Sequence, residues 1–150
     1  MRIIIQRVSK ASVEVEEKIV GKISQGLLVL CGFEETDNEE DFLWISKKII
    51  QLRIFDDKNN VMNLSVQEIE GNLLVVSQFT LHASTKKGNR PSYIKASKPE
   101  IAKLQYEKFC SILEENFNKK IEKGIFGAMM NVQLSNNGPV TIFMDSKNKE

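Results

Sequence analysis

Two short polar clusters inside apolar stretches hold the residue types best suited to chemistry. The first, Ser77 to Thr80, follows the apolar run Leu73 to Val76, and its hydroxyl and amide groups could line a pocket at the end of a strand. The second, Asn136 to Thr141, contains the dipeptide Gly138-Pro139. Each cluster also has a plainer interpretation, because strand hydroxyls bond to local backbone groups and Asn, Gly and Pro are the usual hairpin-turn residues. The residue types alone leave both interpretations open.

Other kinds of site find little support in the composition. His82 is the only histidine, and the two cysteines, Cys31 and Cys110, lie far apart in the sequence. A triad needs a base beside its nucleophile, and a zinc site needs three or four ligands. No Gly-rich phosphate loop is present. We therefore expect no metal, no cofactor and no disulfide framework, and we expect His82 to be a surface or packing residue and not a general base.

Charge is distributed unevenly along the chain. The formal net charge is only +1, but residues 34–41 contain six acids and no base. Residues 84–103 contain six bases, among them Lys86, Lys87 and Arg90, against the single acid Glu100. A basic segment of this kind can meet nucleic-acid phosphates, and it can equally be a solvated loop and helix face.

The elements that must position these residues follow from the hydrophobic periodicity. Apolar runs and alternation predict strands early and late in the chain, and two amphipathic helices lie between them. Thr36 with Glu39, and Ser97 with Glu100, are possible capping boxes for the two helices. The main predicted strands are 2–8, 12–16, 18–23, 27–33, 73–79, 130–135 and 140–144.

This order of elements predicts one α+β domain over residues 1–150, with a largely antiparallel sheet and two main helices. Residues 146–150 are polar and are expected to form a frayed tail. No apolar run reaches the roughly 20 residues that span a bilayer. The first ten residues read as a strand and not as a signal peptide, so we expect a cytoplasmic protein without a membrane partner.

Four motifs, in this order and at this chain length, resemble the D-aminoacyl-tRNA deacylase family, once called D-tyrosyl-tRNA deacylase. The resemblance covers essentially the whole chain. Each motif would be weak alone, but the combination is specific. The motifs are Gln6-Arg7-Val8, Ser77-Gln78-Phe79-Thr80-Leu81, Lys87-Gly88-Asn89-Arg90-Pro91 and Asn137-Gly138-Pro139-Val140-Thr141.

The resemblance implies a fold with a barrel-like sheet and a homodimer that acts on aminoacyl-tRNA. The family hydrolyses the ester between a D-amino acid, or glycine mischarged on tRNA-Ala, and the 3′-terminal adenosine. A Gly-Pro dipeptide with a cis bond, here Gly138-Pro139, would be lent by each subunit to the partner's site and would reject L-amino acids sterically.

The resemblance also assigns roles to individual residues. The catalytic pocket floor would be Ser77, Gln78, Phe79 and Thr80. Support for the Gly-Pro loop would come from Arg7 and Asn137, the adenosine end would be shaped by Phe126 and Met130, and tRNA would be bound by Lys86, Lys87 and Arg90. Two positions depart from the common family pattern, namely Met129 and Tyr93, and neither belongs to the central motifs.

Within this assignment, two mechanisms differ in the role of Thr80. A nucleophilic Thr80 would need an adjacent base, and the sequence offers none. An aminoacyl ester is already reactive, so backbone N–H groups, a positioned water and the 2′-hydroxyl of the ribose suffice for hydrolysis. We favour the second mechanism. The alternatives outside enzymology are a non-catalytic RNA-binding module and a structural dimerisation module.

Overall fold

A mixed six-stranded sheet with two helices organises the chain, and the computed structural model describes residues 1–150. A short 3₁₀-helix, Phe79–His82, follows the sixth strand. The strands are β1 (Arg2–Val15), β2 (Lys18–Ile23), β3 (Gly26–Gly32), β4 (Phe55–Asp56), β5 (Met62–Leu64), β6 (Asn72–Ser77), β7 (Glu122–Lys123) and β8 (Asn131–Asp145). The helices are α1 (Glu39–Gln51) and α2 (Pro99–Phe117). Strands β4 and β5 lie outside the six-stranded sheet and pair antiparallel as a separate hairpin.

The long strand β1 lies at the centre of the sheet. One of its edges pairs with β2 and β3 and the other with β8, all antiparallel. The pairs β3–β6 and β6–β7 are parallel, which the sequence did not predict. The sheet curls until Lys22 of β2 donates its backbone N–H to Glu122 of β7 at 3.4 Å, so it is nearly closed. The predicted α+β class, two main helices and barrel-like sheet are confirmed.

Two apolar clusters lie on opposite faces of the sheet. The larger packs both helices against β1, β3 and β6, and the smaller fills the inside of the curl. The predicted inward faces of the helices are buried, as Ile45 and Phe109 show at 0% exposure. Both cysteines are buried and free. Neither helix is long and apolar enough to cross a membrane.

Both predicted capping boxes are wrong. The N-cap of helix α1 lies two residues after Thr36, because the Asp37 carboxylate accepts the Glu34 N–H at 2.9 Å and closes a turn there. Asn38 and Asp41 form the capping box instead. Helix α2 begins at Pro99 after Lys98, without a side-chain cap.

Other boundaries also differ from the prediction. Strand β1 runs unbroken from Arg2 to Val15, where the pattern predicts two strands, 2–8 and 12–16. Strand β6 ends at Ser77, two residues early, because the chain turns into the 3₁₀-helix. The segment 136–139 is no turn between strands but a bulge within the continuous strand β8. The tail is held at its start: Ser146 is buried and accepts a hydrogen bond from the Met1 ammonium group at 2.9 Å, and Lys147 lies 2.6 Å from the Asp41 carboxylate.

Candidate functional site

The Gly138-Pro139 dipeptide lies at the tip of a large bulge in β8. Gln6 pairs with Thr141 and Val8 pairs with Asn136. An advance of five residues along β8 therefore lies opposite an advance of two residues along β1. The three extra residues are extruded from the ladder. The Gly138-Pro139 peptide bond is cis, as the resemblance implied, and both residues are exposed.

The Arg7 side chain supports this bulge from within the same chain. Its Nε donates to the carbonyl oxygen of Asn137 at 3.0 Å, and its Nη1 donates to the carbonyl of Ile54 at 2.6 Å. The Asp56 carboxylate lies 3.4 Å from the same Nη1. Because the guanidinium is buried and planar, these bonds fix it between the β4–β5 hairpin and the bulge. A cavity of about 360 Å³ beside it is lined in part by Arg7, Asp56 and Asn137.

A second set of bonds closes the base of the bulge. The Oδ1 atom of Asn136 accepts the backbone N–H of Val140 at 3.2 Å, and its amide donates to the Thr141 hydroxyl at 3.0 Å. The Gly138 backbone has φ of 126°, and a Cβ placed there would lie 2.8 Å from Arg7 Nη2. Glycine is therefore required at this position, because a side chain would be strained and would displace the guanidinium.

The Ser77–Thr80 cluster occupies the junction between β6 and the 3₁₀-helix. The Gln78 N–H donates to the carbonyl of Cys31 on β3 at 2.7 Å, which anchors the junction to the sheet. The Gln78 side-chain amide donates to the Thr80 hydroxyl at 2.5 Å. Since that amide nitrogen cannot accept a proton, the partner of Thr80 cannot act as its general base. The leading N–H groups of the 3₁₀-helix have no acceptor within the helix and are free for a ligand.

The segment after β7 emerges beside this junction. Strands β6 and β7 are parallel, so they end at the same edge of the sheet, and the Gly124 N–H donates to the Val75 carbonyl at 3.0 Å. Phe126 packs on Tyr106 with ring centroids 5.8 Å apart. Met130 packs against the smaller apolar cluster. Phe126 and Met130 thus lie at the edge where Ser77–Thr80 emerges, and both also contribute to packing.

The bulge and the Ser77–Thr80 cluster do not meet within one chain. Arg7 is opposite Leu27, Leu27 is opposite Leu73, and Ser77 lies four residues beyond Leu73, about 13 Å along the strand. The bulge lies on β8, three strand spacings or about 14 Å away across the sheet. The resemblance implies that the bulge is lent to the partner's site, and within a single chain the bulge and the Ser77–Thr80 cluster lie in two separate places.

The basic loop follows directly from the 3₁₀-helix. Lys86, Lys87 and Arg90 are all exposed, and the loop is closed by a backbone pair between Ser84 and Ser92. The loop therefore presents its positive charges a few residues beyond the Ser77–Thr80 cluster.

His82 is buried, so of the two predicted alternatives it has the packing role and not the surface position. Its side chain is buried against Gly32 of β3, and burial is the main cause of its lowered pKa, so the imidazole is neutral at pH 7. No three His, Cys, Asp or Glu side chains lie close enough together to hold a metal ion.

Sequence reasoning missed the residues that complete the support of the bulge. Asn136 could have been found, because an Asn at a polar turn commonly bonds to backbone groups nearby. The Ile54 carbonyl and the Asp56 carboxylate gave no signal, because their contact with Arg7 joins positions almost fifty residues apart.

A sequence model of one protein family, described as D-Tyr-tRNA(Tyr) deacylase, matches residues 4–145. The chain is 65% identical over 150 residues to a D-aminoacyl-tRNA deacylase of Flavobacterium psychrophilum, with all of both chains covered. It is 59% identical, again over the full length of both, to a D-aminoacyl-tRNA deacylase of Bacteroides fragilis.

Solved structures share the fold. One, titled c-Myc DNA Unwinding Element Binding Protein, superposes with a TM-score of 0.92 at 35% identity and covers 97% of this chain and 98% of its own. A probable eukaryotic D-amino acid tRNA deacylase gives 0.81 at 17% identity, covering 95% of this chain and 97% of its own, which supports the fold alone. The chain belongs to the D-Tyr-tRNA(Tyr) deacylase family.

Proposed function

We propose that this chain hydrolyses the ester between a D-amino acid and the 3′-terminal adenosine of tRNA, consuming one water and releasing the amino acid and the tRNA. One observation carries the proposal. The exposed Gly138-Pro139 bulge is held rigidly by Arg7 and Asn136, and the bulge lies far from the Ser77–Thr80 cluster of the same chain. A bulge so held is suited to a site on another molecule. The full-length similarity to D-aminoacyl-tRNA deacylases supports the same reaction.

The other molecule is a second copy of this chain. Strand β8 has 15 residues, and its outer edge has no partner in the sheet, so its backbone groups are free to meet another surface. Phe143 on this strand is 57% exposed, four residues beyond the bulge. In a two-fold dimer the same surfaces meet twice, so each bulge would complete the partner's Ser77–Thr80 cluster and two equal sites would form.

In this site the chemistry rests on backbone groups. The leading N–H groups of the 3₁₀-helix would stabilise the oxyanion that develops on the ester carbonyl. Water attacks that carbonyl, and the 2′-hydroxyl of the terminal ribose assists its deprotonation. The bond between the carbonyl carbon and the ribose oxygen then breaks, and the proton goes to the leaving oxygen. Thr80 holds the Gln78 side chain and stays outside the bond changes.

Chirality would be read by the backbone of the Gly138-Pro139 bulge. Carbonyl groups of the bulge would hold the ammonium group of the substrate while the ester is held by the partner subunit. With the ammonium group and the ester of the substrate Cα both held, a D side chain projects to open space and an L side chain meets the Gly138-Pro139 backbone. Glycine has no side chain and escapes this clash, so we propose that glycyl-tRNA is also cleaved. Rejection by a clash needs no recognition of the side chain.

The tRNA would approach along the edge where the Ser77–Thr80 cluster emerges. Phe126 and Met130 would border the terminal adenosine, and the basic loop would meet acceptor-end phosphates. Such contacts are independent of base sequence. We propose the cytoplasm, where tRNA is charged, as the compartment of the reaction.

The proposed function is tested by incubating the purified protein with D-aminoacyl-tRNA and with L-aminoacyl-tRNA carrying the same side chain. We expect release of the D-amino acid only. Binding without release would favour the RNA-binding alternative, and neither binding nor release would favour the dimerisation alternative. Appreciable release of the L-amino acid would contradict steric rejection.

Replacing Thr80 by alanine should lower the activity far less than the loss of a nucleophile would. Loss of a true nucleophile lowers kcat by about a million-fold in subtilisin. Loss of a hydroxyl that only bonds to Gln78 should cost about fivefold, because one hydrogen bond is worth roughly 1 kcal/mol. Single-turnover rates on D-aminoacyl-tRNA measure the difference. A trapped covalent adduct on Thr80 would contradict the proposed mechanism.

Neutralising Lys86, Lys87 and Arg90 to glutamine should make tRNA binding less sensitive to salt. Each lost phosphate contact lowers the slope of log affinity against log salt by about 0.7 to 0.9, so we expect a decrease of about 2 to 3 units. Titrations at several salt concentrations give the slope. A matched control neutralises three exposed lysines on other elements, Lys18, Lys47 and Lys58. Equal slopes for the two variants would show that the basic loop does not face the tRNA.

A further inference from the structure

Two exposed aromatic rings pack against each other, one in the Ser77–Thr80 cluster and one directly after the basic loop. Phe79 begins the 3₁₀-helix and is 55% exposed, and Tyr93 follows the basic loop and is 39% exposed. Their ring centroids are 5.0 Å apart with an interplanar angle of 72°. Edge-to-face packing of this kind joins the edge of one ring to the face of the other and fixes the pair as a unit. The pair therefore forms a preorganised aromatic surface that is open to solvent.

The surroundings of this aromatic pair are positively charged. No acidic residue occurs from position 71 to position 99, and the loop between the two rings carries Lys86, Lys87 and Arg90. Aromatic faces next to backbone-binding cations are the combination that binds single-stranded nucleic acid, because every base has a flat face that stacks and every nucleotide has a phosphate. Charge complementarity thus favours a nucleotide over an apolar protein segment as the occupant.

We propose that Phe79 and Tyr93 form a stacking subsite for the unpaired nucleotide that precedes the terminal adenosine of the tRNA. The inference rests on the proposed function, which brings the terminal adenosine and its ester to the Ser77–Thr80 cluster. The preceding nucleotide is covalently attached to that adenosine, and the aromatic pair is the exposed apolar surface on the way to the basic loop. The subsite would hold the acceptor end in place without reading the identity of the tRNA.

The test compares two substrates that differ only in the nucleotides before the terminal adenosine. D-aminoacyl-tRNA has the preceding nucleotide, and 3′-O-(D-aminoacyl)adenosine lacks it. For Tyr93→Ala we expect kcat/KM on the tRNA substrate to fall by about 5- to 160-fold, the range that follows from loss of one base stack. On the adenosine ester we expect wild-type kcat/KM. Tyr93→Phe retains the ring and should match the wild type on both substrates.

Two further variants and one measurement isolate the contribution of the aromatic ring. Ile94→Ala removes an apolar side chain that is 92% exposed beside Tyr93, and it should leave both substrates unaffected. Tyr93→Leu keeps an apolar contact with Phe79 without a ring, and it should behave as Tyr93→Ala does. Sedimentation of each variant reports the oligomeric state.

Three results would overturn the inference: equal losses on both substrates, no loss on the tRNA substrate, or conversion of the Tyr93→Ala dimer to monomer. The last would mean that a second copy of the chain covers the pair. A wild-type protein that cleaves neither substrate would instead overturn the proposed function itself.

Discussion

Replacing Phe79 by proline is expected to lower kcat on D-aminoacyl-adenosine by about 10²- to 10³-fold, the usual cost of one oxyanion donor. Proline removes the backbone N–H at the start of the 3₁₀-helix, and its fixed φ suits that first helical position. Gln78, the preceding residue, has φ of −145° and ψ of 81°, outside the helical region that a following proline disfavours. The 3₁₀-helix should therefore form, and the decrease in kcat should result only from the missing N–H donor of residue 79.

The matched control is Phe79→Ala, which keeps the N–H and removes the ring. On the adenosine ester, which has no preceding nucleotide to stack, this variant should retain nearly wild-type kcat. Circular dichroism and melting temperature check that both variants fold alike. Similar rates for the proline and alanine variants would contradict a role for the Phe79 N–H in catalysis.

Replacing Arg7 by alanine should damage both activity and chiral selection. The change leaves the carbonyl groups of Ile54 and Asn137 without their donor and frees the bulge from the β4–β5 hairpin. A displacement of about 1 Å at a site can cost about 10²-fold in rate, and we expect a loss of that order on D-aminoacyl-tRNA. The ratio of D to L cleavage should fall as well, because a mobile bulge no longer excludes the L side chain.

Two comparisons separate positioning from stability. We expect Arg7→Ala to lower the free energy of unfolding by about 2 to 4 kcal/mol, because buried carbonyls lose their partners. Arg53→Ala is the matched control, since its Nε donates to the Asn63 carbonyl at 2.8 Å on the exposed side of the same hairpin. Arg7→Lys keeps the charge without the planar fork and should retain the fold while losing selectivity. Unchanged D-to-L ratios in both Arg7 variants would contradict the assigned role.

The sequence predicted most of the fold because the apolar periodicity of the elements is strong. The inward faces of α1 and α2 and the buried strand β3 follow directly from it. Helix starts were harder, because Thr36, Asn38 and Asp37 all can cap or form turns. The start of α1 depends on the Met1 ammonium group, which directly precedes β1. This group pairs with the Asp37 carboxylate and fixes the turn before the helix. A contact between distant segments cannot be read from a local pattern.

The site shows the same division between local and distant information. Its candidate residues come from motif resemblance and stay a prediction, and the Gln78–Thr80 hydrogen bond fits their chemical types. Their arrangement was not predictable from the sequence. The register between β1 and β8 shows that the segment that resembles a hairpin turn is a bulge within one strand. The registers of β1 with β3 and of β3 with β6 align Arg7 with Leu27 and Leu27 with Leu73, so the bulge lies far from Ser77.

The most direct test of a shared site is a mixture of two strongly impaired variants, Arg7→Ala and Phe79→Pro, allowed to exchange subunits. If each bulge acts on the partner's site, a mixed dimer has one site with an intact Phe79 N–H and an intact bulge. Random pairing at equal concentrations then restores about a quarter of the wild-type sites, since half of the dimers are mixed and half of their sites are intact. We predict that recovery on D-aminoacyl-tRNA. A mixture no more active than its components, with mixed dimers verified by mass spectrometry, would contradict a site shared between two chains.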